Sequence, residues 1–149
     1  MSPGKMMGFC IILGSGALLA FSSAATDRYT ASKYYVDGAV LLDQGWNEEA
    51  RDRFYHEPQG SPIMPYDWFL HLEQPESQKL FRDNAYLRGF GLITTSKPSK
   101  RNEDALPVGL TKDQGIYNVE PKLGMNCGAC HVSEVSFQGQ TALIDGLAA

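Results

Sequence analysis

The sequence predicts a mainly α-helical fold with much irregular chain and one short β-hairpin near its C-terminal end. Three observations carry this expectation. Apolar residues recur at fourth-residue spacing around a capping asparagine in the first half. Prolines at 58, 62, 65, 75, 98, 107 and 121 cut helices short. The stretch "VSEVSFQGQTALI" alternates polar and apolar residues around a Gln138-Gly139 turn.

Along the chain, "YTASKYYVDGAVLLDQGW" reads as a helix burying Tyr34, Tyr35, Leu41 and Leu42 and ending at Gly45. In "WNEEARDRFYHEP", Asn47 caps, Glu48 and Glu49 suit the positive N-terminal end, and Trp46, Ala50 and Phe54 form the stripe that Pro58 closes. "PQGSPIMP" is a turn-rich connector. Pro65 then opens a helix over "PYDWFLHLEQP", closed by Pro75. A further short helix covers Glu76 to Leu87, and Thr94 to Asp104 is a solvated loop. Trp46, Phe54, Tyr66, Trp68 and Phe69 are read chiefly as core packing, with a minority lining a cofactor. Asp67 and Glu73 are read as solvated or helix-end charges.

The 149 residues are 43% hydrophobic with formal net charge -4, ordinary for one globular domain. There is no basic stripe, which gives no reason to expect nucleic acid as a partner. Residues 1-25 carry Lys5, an apolar run from Met6 to Phe21 and then small residues, the order of a cleaved secretory signal peptide. Ser23 and Ala25 fall at its -3 and -1 positions. The sixteen-residue run is interrupted by Gly8, Gly14, Ser15 and Gly16, whereas a span needs roughly 20 apolar residues. No stable membrane span is expected after cleavage. The mature chain, 26-149, is expected in the periplasm or outside the cell, where Cys127 and Cys130 are its two cysteines.

Those two cysteines lie in "LGMNCGACHVSEV", immediately before His131. A shuffled chain would contain CxxCH with a probability on the order of one in a thousand. A thioredoxin-like redox pair needs a strand before the motif, where "YNVEPKLGMN" offers a proline and a glycine. A zinc site needs four ligands, and with no other cysteine in the mature chain the set would draw on His131, which sits directly beside Cys130 rather than at the usual histidine spacing, and on His56 or His71. Covalent haem attachment accounts for every position: thioethers from Cys127 and Cys130, His131 as the iron ligand, and small Gly128 and Ala129 beside the porphyrin edge. The expectation is one haem c in a cytochrome c-like domain that transfers electrons with a redox partner protein. Met64, His56, His71 and Met125 are the candidates for the far side of the iron, with an open position as the alternative.

The stretches "DQGWNEEARDRFYHEPQGSPIMPYDWFLHLEQP", "DALPVGL" and "LGMNCGACHVSEVSFQGQTALIDG" resemble the start of the di-haem c-type cytochromes that include bacterial rubber oxygenases, distant relatives of di-haem cytochrome c peroxidases. Gln59-Gly60, Pro65-Tyr66 with Trp68-Phe69, and Leu106-Pro107-Val108-Gly109 carry the similarity in that order. The resemblance implies an exported haem protein whose first haem, matched by Cys127, Cys130 and His131, meets dioxygen in the rubber oxygenases. Members are several times longer and carry a second CxxCH, whereas this sequence stops at Ala149. It is therefore expected to be a fragment, or to complete its haem environment with another chain. An oxygenase or peroxidase is the alternative to an electron carrier.

Overall fold

The computed structural model describes residues 29-31, 39-114 and 120-147. The expected signal peptide, and the part of the first expected helix holding Tyr34 and Tyr35, lie outside the described residues.

The mainly α expectation is corrected: strand exceeds helix. β1 (Tyr29–Ala31) and β2 (Ala39–Leu42) replace the ends of the expected first helix. They pair antiparallel, and β2 runs parallel to β7 (Gln140–Asp145), which also pairs antiparallel with β6 (Val132–Phe137). The resulting sheet has the order β1-β2-β7-β6. The second sheet is β3-β5-β4, antiparallel throughout, from β3 (Pro62–Pro65), β4 (Leu110–Asp113) and β5 (Lys122–Met125). The physical reason lies in the prolines and in distance along the chain. Proline limits helices to a turn or two, and the apolar "AVLL" finds its sheet partner about a hundred residues later, where local periodicity carries no trace of it.

α1 (Glu48–His56) forms as expected, with the Asn47 side chain accepting from the Ala50 amide at 2.8 Å. α2 (Tyr66–His71) starts after Pro65 as expected but ends four residues before Pro75. The helix expected over Glu76 to Leu87 is confined to α3 (Asn84–Arg88), capped by Asp83. The hairpin after His131 is present. Gln138 and Gly139, both at positive φ (48° and 78°), give the two-residue turn whose twist matches the strands.

Two apolar clusters form the core. One joins Ala39, Tyr55, Ile93, Val108, Val132 and Leu143; the other joins Tyr66, Phe69, Leu87, Leu106, Leu110 and Leu123. Of the aromatics expected inside, Tyr66 and Phe69 are buried, whereas Trp46 and Trp68 are 39% and 67% exposed.

The loop expected to be solvated is half wrong. Thr94, Thr95 and Asn102 are buried, and Arg101 reaches α1, pairing with Glu57 (3.0 Å), Glu49 (3.3 Å) and Asp52 (3.4 Å). Ser99 donates to Asp52 as well. The polar composition of this segment reflects a hydrogen-bonded clamp on α1 as much as contact with water.

Candidate functional site

The CxxCH residues form one turn of helix, α4 (Gly128–His131), between β5 and β6. The His131 amide donates to the Cys127 carbonyl at 2.9 Å, closing that turn. Residues i, i+3 and i+4 of a helix share a face, so Cys127, Cys130 and His131 stand side by side. All three side chains belong to exposed residues, and the two thiols are free.

The turn is fixed from below. Asn126 is buried and does three things at once: its Oδ1 accepts from the Gly128 amide (2.8 Å), and its Nδ2 donates to the carbonyls of Phe54 and Glu57 (3.1 Å each). The carbonyl of Phe54 in the last turn of α1 and that of its C-cap, Glu57, are thereby satisfied by the residue that precedes the N-cap of α4. Gly128 is buried against the same helix end, where a Cβ would lie 3.2 Å from the Phe54 carbonyl oxygen. Gly109, at φ +84°, donates to the Tyr55 carbonyl (3.0 Å) and accepts from the Asn126 amide (2.8 Å). Close packing thus holds the backbone side of the motif, and the reactive side faces outward.

Gln59 completes the surroundings. Its Oε1 accepts from the Cys127 thiol at 3.1 Å and lies 3.4 Å from the Cys127 amide. It also lines an open groove of about 620 Å³ whose wall includes Trp46, Ala50, Arg53 and Phe54.

The four candidates for the far side of the iron are scattered. His56 is buried, with Nε2 3.4 Å from Asn102 Nδ2, and burial lowers its pKa to about 4 although Asp52 and the Leu110 backbone act in the other direction. A ring in that position is inside the core, whereas the motif's side chains are outside. Met64 packs against the second apolar cluster. His71 is exposed at the end of α2, where its Nδ1 lies 2.9 Å from the Asp67 carbonyl oxygen. Met125 ends β5, partly exposed.

One premise of the sequence reading is corrected here. A strand does precede the CxxC pair, since β5 occupies "KLGM". It is the middle strand of an antiparallel sheet and leads into a single helical turn, unlike the parallel strand and long helix of a thioredoxin-like site. Among the described residues no group of three His, Cys, Asp or Glu is arranged to hold a metal ion. No helix among them is long and apolar enough to cross a membrane.

Sequence reasoning missed Asn126, Gly109 and the buried role of Asn102. For Asn126 the signal was available: an asparagine ahead of a short helical turn commonly bonds the backbone amide two residues on, as it does with Gly128. Gly109 had no local signal, because the backbone it accommodates is twenty residues away.

Comparison with family models, curated proteins and solved structures gives no match to this chain.

Proposed function

We propose that the chain binds one haem covalently through Cys127 and Cys130, with His131 as an iron ligand, and transfers electrons to a redox partner protein in the periplasm or outside the cell. The observation that carries this reading is the presentation of two thiols and an imidazole on one exposed face of a single helical turn. The residues fit the group: Cys127 and Cys130 would hold it, each thiol adding across one vinyl C=C with sulfur to one carbon and the thiol hydrogen to the other, with no net oxidation. Attached haem supplies a one-electron couple. The protein's own contribution is to hold the turn rigid through Asn126, Gly109 and Gly128, and to keep His131 next to Cys130.

Membership of the di-haem c-type class, with its rubber oxygenases, belongs to the same proposal. Its support is the set of stretches around Gln59-Gly60, Trp68-Phe69 and Val108-Gly109. In that case the unit is the first haem portion of an oxygenase or peroxidase. The burial of His56 and the packing of half-buried Met64 against the second apolar cluster favour this second reading, because neither stands free as a strong donor beside the exposed motif.

The test is maturation of the full chain with a haem-attachment system in an oxidising compartment, followed by denaturation, acid-acetone extraction and mass measurement. The expected species is polypeptide plus one haem, lost in the Cys127→Ser/Cys130→Ser double variant. Bare polypeptide alone would overturn the proposal. Rapid carbon monoxide binding by the reduced protein would favour the oxygenase or peroxidase reading over the six-coordinate carrier.

A further inference from the structure

The groove beside Cys127 has three features that belong together. Its aromatic wall is unusual for a surface: Trp46 and Phe54 pack with ring centroids 5.1 Å apart, yet Trp46 remains 39% exposed. Its cation is uncommitted, since among the described residues Arg53 has no ion-pair partner, whereas Glu49 and Glu57, which also line the groove, are both engaged by Arg101. It adjoins the motif through Gln59, a lining residue whose Oε1 accepts from the Cys127 thiol at 3.1 Å.

We infer that the α1 groove formed by Trp46, Ala50, Phe54 and Arg53 is the seat of the porphyrin tethered at Cys127, with the Trp46–Phe54 pair covering part of its apolar ring and Arg53 pairing with a propionate. This rests on the haem reading and deepens it. A macrocycle bound through the exposed face of α4 has an apolar body and carboxylate tips, and leaving the body in water is unfavourable. Large aromatic side chains supply the complementary apolar surface, and a guanidinium is the side chain best matched to a carboxylate. The spacing is a consequence of helix geometry. Trp46, Ala50 and Phe54 form one stripe, Ala50 keeps its middle low, and Arg53 stands beside Phe54 at the groove's margin. Trp68, the more exposed tryptophan, sits on α2 and does not line this groove.

Hydroxyl-radical footprinting of the matured full chain, with Cys127→Ser/Cys130→Ser protein as the haem-free reference, reads the seat directly. Attachment is expected to slow modification of Trp46 and Phe54 several-fold and to leave Trp68 unchanged. Attached haem with unaltered Trp46 and Phe54 rates, or with protection at Trp68 instead, overturns the inference while leaving attachment intact. A chain that carries no haem by mass fails the underlying reading instead. The oxidised haem carries one more positive charge than the reduced one, so a cation at the propionate disfavours oxidation and its loss favours the oxidised form. Arg53→Gln is therefore expected to lower the midpoint potential relative to Arg53→Lys and to the charge-matched Lys79→Gln. Equal potentials in all three would remove Arg53 from the seat.

Discussion

A Cβ atom placed on Gly109 would lie 2.0 Å from the backbone nitrogen of Ala129, in the middle of the CxxCH turn. Nothing at the far end of a flexible side chain is involved; the added carbon would meet the Ala129 backbone nitrogen and Cα, which cannot swing aside. Gly109 also adopts φ +84°, which side chains rarely tolerate. Gly109→Ala is expected to cost about 3 kcal/mol or more through overlap and strain combined. Chemical denaturation of the haem-free chain measures this, and a loss below about 1 kcal/mol would mean that the turn yields easily.

Asn126 supplies the second prediction. Alanine there removes the cap on Gly128 and both bonds to the end of α1. The expected loss is about 2 to 3 kcal/mol, because buried backbone groups are left without partners. Asn126→Asp is expected to be worse than its small change in shape suggests, since a carboxylate would face the Phe54 and Glu57 carbonyl oxygens that now accept hydrogen bonds. Both variants should also give less attached haem per chain, by pyridine haemochrome assay, than a surface variant such as Gln140→Ala.

The end of β7 is joined to α1 by charge. Asp145 accepts from Arg51 Nε at 2.9 Å and from the Tyr55 hydroxyl, and both members of the ion pair are nearly inaccessible. Gln44 exchanges two further hydrogen bonds with the Asp145 backbone. Asp145→Ala leaves the Arg51 cation buried and unpaired, at an expected cost of about 3 to 5 kcal/mol. Arg51→Met combined with Asp145→Asn is expected to recover part of that loss, because the charge is gone and the amide oxygen still accepts from Tyr55. Equilibrium unfolding of the single and double variants gives the coupling.

Stability is expected to fall on acidification in a window set by His56. Burial depresses its pKa from 6.5 to about 4, so between those values the unfolded chain takes up a proton that the folded protein refuses. Stability therefore rises with pH across this window and is lost as pH falls from about 6.5 towards 4, by up to about 3 kcal/mol. Carboxylates held low, such as Asp104 beside Lys112, lose stability in the same direction but further into acid. The contribution of His56 is isolated by the slope of unfolding midpoint against pH in wild type and His56→Gln. The variant's profile should be flatter between pH 4 and 6.5; parallel profiles would show that His56 does not titrate as its burial implies.

How far the sequence could be read depended on the range of the interaction concerned. α1 was legible because Asn47, the two glutamates, the fourth-residue stripe and Pro58 all act within a dozen residues. The terminal hairpin was legible for the same reason, its turn lying at Gln138-Gly139. β2 was not, since "AVLL" suits either a helix or a strand until β7 arrives beside it. The apparent loop around Asn102 failed differently. Polar residues there are spent on His56, Leu106 and α1 rather than on water, which composition alone does not distinguish.

The sequence by itself determined the chemical inventory of the motif: two thiols and an imidazole at a spacing that any helical turn converts into one face. Only the tertiary structure decided that this face is exposed, that its back is closed by Gly109 and Asn126, and that a groove with Trp46 and Arg53 opens beside it. Side-chain order along a turn is a local property of the chain. Which surface remains uncovered depends on segments that meet from opposite ends of it, through sheet pairing and buried hydrogen bonds that no short window contains.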